Sequence, residues 1–371
     1  MSSIDHFQEA LSLWEQWWNR DNTSPVAYII YPSGDHATLD PFVRDWMPAG
    51  VTARWDHWKP ELMAARAMEL DLAQGSTRHL DEWLDYMLAY ADLYRHAHGG
   101  YRFILPGFGP VCLTAFLSGI FRYEEPTVWL EPDEPMTYGA IIAATQSPPP
   151  AARRYRDYAF EMLRRMADRL GGTYLISMPD FGDGMDVLAP LRHNMNLLVE
   201  VCDEPQTIQR TLEAVGAFGE RMFDRAAAIL DPVNAGASAC CMRYLAQGRS
   251  CLTYCDFSAM IGPDMFAQYV LPMVKRHCAR FPGRTVFHLD GPGELPHVEH
   301  LCSVDDLFAV QWVQGAGNPD GLDEKWYPLY RQLIDHGKRV CIGTPWQPDR
   351  IRALFKAFPA REFALNMRAR D

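Results

Sequence analysis

His288 and Asp290 stand two residues apart at the end of an apolar run, "RTVFHLD" (284–290), and a Gly-Pro-Gly turn follows at once. On a β-strand, residues two apart project from the same face. Both side chains therefore reach one space, and two kinds of chemistry suit them there. An imidazole nitrogen and a carboxylate oxygen are ligands for a divalent metal, which needs a third protein ligand and keeps a position open for substrate. Alternatively the two form an acid/base pair in which the carboxylate sets the imidazole tautomer. A structural histidine bonded to a capping carboxylate is the bland option. The third ligand is best sought in "CLTYCDFSAMIGPDMF" (251–266), where Cys255 and Asp256 both stand just before an apolar segment. Cys251 and Cys255 make a C-x₃-C pair, which is not a zinc ribbon or finger spacing.

The elements that must position these residues are short β-rich runs alternating with helical stretches. Eight strands are expected: 26–32, 101–106, 173–179, 233–240, 284–290, 307–313, 338–344 and 362–368. Nearly all are apolar on both faces, as parallel strands covered by helices are. Helical patterns fill 151–172, 205–229 and 263–281, the last two opened by Pro205 and Pro263. Eight strands with helical crossovers indicate an α/β (β/α)₈ TIM barrel with an N-terminal, mainly helical extension. The whole chain, 1–371, is expected to be a single barrel domain, with 1–100 as helical decoration plus the first strand and 101–371 as the rest. Such barrels work at the C-terminal ends of their strands. Those ends include Ser33–His36, His288 with Asp290, Gln311 with Trp312, Gly343 with Thr344, and Asn366.

Composition narrows the function classes. The 35 Lys and Arg against 47 Asp and Glu leave a formal charge of −12, which argues against nucleic acid or an anionic membrane as partner. The N-terminus carries acidic residues and a helical stripe of Phe7, Leu11, Trp14 and Trp18 rather than a secretory signal. The uncharged stretch 103–121 approaches membrane-spanning length, but Pro106 and Pro110 would break a helix near its start, so no membrane span is expected. Nine scattered cysteines without a signal peptide are expected to be reduced thiols in a cytoplasmic protein.

Three segments, "YCDFSAMIGPDMFAQYVLPMV", "FHLDGPGELPHVEHL" and "LFAVQWVQGAGNP", together with "MDVLAPLRHNMNLLVEVCDEPQTI", resemble the uroporphyrinogen decarboxylase superfamily. More narrowly they resemble its decarboxylase-like branch associated with cobamide-dependent methyl transfer. The resemblance covers roughly residues 170–345 and implies a (β/α)₈ barrel. The porphyrinogen decarboxylases carry an arginine-rich stretch after the first strand, where this chain reads "YIIYPSGDHATLD", and Asp-Trp where it has Gln311-Trp312. Porphyrinogen decarboxylation is therefore not expected. The cobamide-dependent methyltransferases use a zinc site with a His-x-Cys motif and a later cysteine. His288 falls on that histidine, and Asp290 replaces the first cysteine.

The resemblance implies a methyltransferase moving a methyl group between a small methylated donor, or a thiol acceptor, and a corrinoid on a separate partner protein. Zn²⁺ is the expected ion, held by His288, Cys255 and Asp290. His288 and Asp290 are then the catalytic pair, Gln311, Trp312, Tyr254 and Phe257 line the substrate cup, and His297 supports it. Oligomeric state is left open, a homodimer included. Two alternatives stand beside this reading: a metal-free decarboxylase or lyase with His288 as proton donor and Asp290 as charge stabiliser, and a catalytically silent ligand-binding barrel.

Overall fold

The structure is a computed structural model in which residues 3–32, 59–124 and 127–368 are described. Ser33–His36 lie outside them. The chain divides into two compact units of interleaved segments. One comprises Met1–Pro32, Arg95–Tyr101 and Ala237–Asp371, and the other Ser33–Tyr94 and Arg102–Gly236.

The first unit is organised by a seven-stranded sheet. Its strands are β1 (Val26–Pro32), β2 (Tyr94–His98), β3 (Cys251–Tyr254), β4 (Thr285–Asp290), β5 (Leu307–Val313), β6 (Arg339–Pro345) and β7 (Phe363–Arg368). They lie in the order β2-β1-β7-β6-β5-β4-β3, and the pairings from β1 to β3 along that order are all parallel. The architecture is thus mixed α/β with a mostly parallel central sheet. One face of β4 to β6 is apolar and buried at Phe287, Leu289, Val310, Trp312, Val340 and Ile342 and so needs cover, while the opposite face buries Val286, Ala309 and Cys341 and carries His288 and Gln311.

The expected strand at 233–240 differs. Only Ala237–Ala239 is extended, and it pairs antiparallel with Leu245–Gln247. The chain reverses between them through Arg243, at φ 66, whose N–H bonds Cys240 O at 2.8 Å. The strand beside β4 is instead β3, a run of four residues too short to show a strand period.

The helix α1 (Ser3–Trp18) is anchored at the N-terminal ends of these strands. Glu15 takes a bidentate pair from Arg284, just before β4, at 2.6 and 2.8 Å. Trp17 packs edge-on against Phe308 at the start of β5, and Trp18 Nε1 donates to Leu245 O at 2.8 Å. With Trp14 and Trp17 at 1% and 0% exposure, α1 commits its apolar stripe to closing this end. The C-terminal ends are left for a site, where ligands of such sheets bind.

The second unit is mainly helical, with Phe103–Ile104 and Leu175–Ile176 as a short parallel pair. Its longest helices, Pro150–Leu170 and Pro205–Val233, take up two of the three expected helical patterns and both start at proline. The stretch 103–121 resolves into that short strand, a loop and the helix Leu113–Ser118; among the described residues no helix is long and apolar enough to cross a membrane. None of the nine cysteines, all of them among the described residues, forms a disulfide, and seven are buried.

Candidate functional site

β4 ends with His288 and Asp290 on one face, as strand alternation requires. Across the ladder Tyr254 pairs with His288, in the last turn of pairing before β3 stops. Two residues beyond Tyr254, on the same side of the alternation, comes Asp256, the first residue of a 3₁₀ turn. Its carboxylate joins the other two groups: ligand atoms of Asp256, His288 and Asp290 all lie within 4.8 Å of one another. Asp256 is the most exposed of the three, and His288 and Asp290 are half-buried. The Asp256 carboxyl is nevertheless crowded. Desolvation pushes its pKa up, Asp290's negative charge pushes the same way, and His288 opposes both.

Gln311 determines which nitrogen His288 presents. It lies opposite His288 in the β4–β5 register, and its Oε1 is 2.8 Å from Nδ1. Nδ1–H donates to that oxygen, which leaves Nε2 with its lone pair for the two carboxylates' side or for a cation. Gln311 is 5% exposed, so this bond is shielded from water. Gln311→Ala is expected to lower metal affinity about 10- to 100-fold, the usual effect of losing a ligand's outer partner. Gln311→Glu, which still accepts from Nδ1–H, is expected to recover most of it; zinc titration calorimetry on both variants measures the difference.

The loops carrying the two aspartates are tied together. Gly291, at φ +83, turns the chain out of β4 and bonds Val313 O at 2.8 Å. Glu294, 0% exposed, accepts the Asp290 backbone N–H at 2.9 Å and so holds the end of β4 in place. His297 is also 0% exposed. Its Nε2 donates to Ser258 O at 2.9 Å, inside the Asp256 turn, and its ring stacks on Phe266 at 4.4 Å and 10°. Burial lowers its pKa, which favours the neutral ring that this packing needs. Phe266 belongs to a π-helical segment, Phe266–Val270, just before Pro272. Proline has no N–H and its ring crowds the carbonyl four residues back, which accounts for the widened turn.

His288, Asp290, Gln311 and Tyr254 come together, Tyr254 meeting the His288 ring edge-on at 6.3 Å. Cys255 is 0% exposed and not among the converging ligand atoms; it precedes Asp256 by one residue and takes the other side of the alternation. Trp312 likewise points away from Gln311's face and packs on Trp326 at 4.8 Å. Phe257, at 2% exposure, and His297 are interior residues behind the Asp256 turn.

No protein-family model and no curated sequence matches the chain. Among solved structures, a methyltransferase from Methanosarcina mazei aligns over 97% of this chain and 93% of its own, with a TM-score of 0.56 and 11% identity. The two chains share a fold.

Two carboxylates and a neutral imidazole balance the charge of a divalent cation, and the crowding of Asp256 on Asp290 is what a cation placed among them would relieve. The donor set therefore fits such an ion. Being all oxygen and nitrogen, it suits Zn²⁺ and other borderline or hard ions rather than those that demand thiolate.

Proposed function

We propose that the chain is a metal-assisted methyltransferase of the uroporphyrinogen decarboxylase-like kind, exchanging a methyl group between a small donor and a corrinoid carried by a separate protein. The observation that carries this reading is the convergence of Asp256, His288 and Asp290 within 4.8 Å at the C-terminal ends of parallel strands. The shared fold with a methyltransferase and the resemblance of 170–345 support it. The closed (β/α)₈ barrel belongs to the same proposal.

In this reading Asp256, His288 and Asp290 hold the ion, Asp256 taking the place expected for Cys255. A divalent cation supplies Lewis-acid polarisation of the atom from which the methyl group departs. The residues do the remaining work. Gln311 keeps His288 in the Nδ1–H tautomer, Glu294 holds the Asp290 backbone, and His297 keeps the Asp256 turn against the β4 loop. A reduced corrinoid, when bound by its carrier, would supply the electron pair that takes up the methyl group, and the former bonding electrons would stay with the donor heteroatom. Replacing the thiolates of the resembled zinc enzymes by carboxylates favours oxygen- or nitrogen-bound donors over a thiol acceptor.

The test is metal content together with methylation of cob(I)alamin, followed by absorbance with a panel of methyl ethers and methylamines. Bound zinc near one per chain and methylation that stops on chelation are expected. A chain that binds no divalent metal yet converts a carboxylate substrate would replace this reading by the lyase one.

A further inference from the structure

Gly343 and Asn366 lie near the C-terminal ends of β6 and β7, on the face of the cluster, and take no part in it. The register aligns His288 with Gln311 and Gln311 with Cys341 across β4, β5 and β6. Two residues nearer the C-terminal ends, the same face carries Asp290 beside Val313, and Gly343 beside Asn366.

β6 is buried at Val340 (0% exposed), Cys341 (1%), Ile342 (1%) and Thr344 (7%), yet Gly343 between them is exposed. The backbone does not ask for glycine there, since Gly343 is absent from the positive-φ positions. Nor does close packing: a Cβ built on Gly343 meets no described atom within 4 Å, whereas one on Gly100 would sit 2.4 Å from Ile29 O. What the missing side chain contributes is space. Asn366, half-buried beside that space, makes no side-chain hydrogen bond among the described residues.

Gly343 and Asp290 lie on strands two apart, which separates them by about 10 Å. Val313 lies between as an apolar floor. We propose that Gly343 opens a notch for the far end of the substrate and that Asn366 hydrogen-bonds a polar group there. The substrate is then an elongated molecule with a reacting end at Asp256–His288–Asp290 and a hydroxyl or similar group about 10 Å away, not a one- or two-carbon donor. This rests on the reading of the cluster as the reacting end.

The test compares 2-methoxyethanol with 4-methoxyphenethyl alcohol, which both pair a methyl ether with a hydroxyl but differ in length. Binding to the zinc-loaded protein is measured by calorimetry and by ligand-observed saturation-transfer NMR, without turnover. The wild type is expected to bind the long ether about tenfold or more tightly than the short one, from the added buried carbons and one hydrogen bond. Gly343→Leu should abolish that preference, Gly343→Ala should reduce it, and Asn366→Ala should weaken the long ether alone. Gly343→Ala keeps the test alive if the leucine variant does not fold. Equal binding of the two ethers by wild type, no binding of the long one, or an unchanged preference in the Gly343 variants overturns the notch. A long ether that binds as expected but donates no methyl group to cob(I)alamin overturns the methyl-transfer reading and leaves the notch standing.

Discussion

His288→Ala is expected to abolish methyl transfer and to weaken zinc binding more than 100-fold, beyond the 10- to 100-fold effect of losing an outer partner such as Gln311. Three ligand atoms within 4.8 Å leave no spare donor in the group, so removing the imidazole leaves two carboxylates of like charge facing one another. Asp256 is already pushed toward protonation by its burial and by Asp290. Without the opposing histidine that push grows, and a neutral Asp256 is a poor ligand. The loss should therefore exceed what one missing bond implies. Asp256→Asn is expected to follow His288→Ala closely, while Cys255→Ser should leave zinc affinity within a few-fold of wild type, because Cys255 takes the other side of the alternation. Zinc affinity by competition with a chromophoric chelator, alongside cob(I)alamin methylation, measures all three. Loss of zinc in Cys255→Ser with retention in Asp256→Asn would restore the thiolate set and sink the carboxylate one.

The contrast between those two residues also marks how far the sequence could be read. His288 and Asp290 were legible because alternation and the Gly-Pro-Gly turn are local facts. Five of the eight expected strands enter the seven-stranded sheet almost residue for residue, since each is a continuous apolar run. β3 was not legible: four residues, Cys251–Tyr254, carry no periodicity to distinguish strand from loop. Without β3 there was no register, and without the Tyr254–His288 pairing nothing decided between Cys255 and Asp256. The same gap affected Gln311 and Trp312. Their neighbouring positions guarantee opposite faces, but only the pairing with His288 says which one meets the site. Gly343 shows a further limit, since a glycine chosen for space looks in sequence like one chosen for a turn.

Asp71 offers the largest expected effect on stability. Its carboxylate, 0% exposed near the end of the helix Lys59–Gln74, accepts from Ser76 Oγ at 2.7 Å, His79 N at 3.1 Å and Leu80 N at 2.9 Å. His79 Nδ1 at 2.8 Å and Tyr158 OH at 2.7 Å complete the set. The group thus caps the helix Arg78–Tyr90 and ties both helices to Pro150–Leu170. Desolvation would raise its pKa, but the bonds from Tyr158, Ser76, the Leu80 N–H and His79 outweigh it and hold the carboxyl below the usual range. Asp71→Ala leaves those donors facing an apolar methyl group and should cost about 3–5 kcal/mol. Tyr158→Phe, which removes one bond, should cost about 1 kcal/mol and keeps the comparison available if the alanine variant does not fold. Because the folded pKa lies below the unfolded one, the stabilisation is complete above the unfolded value of about 3.9 and is lost as pH falls through the folded value. The gap between wild type and Tyr158→Phe should accordingly be flat from about pH 5 to 8 and close in stronger acid. Urea unfolding across that range measures it, and a gap that persists below the folded pKa would mean that Asp71 contributes shape rather than charge.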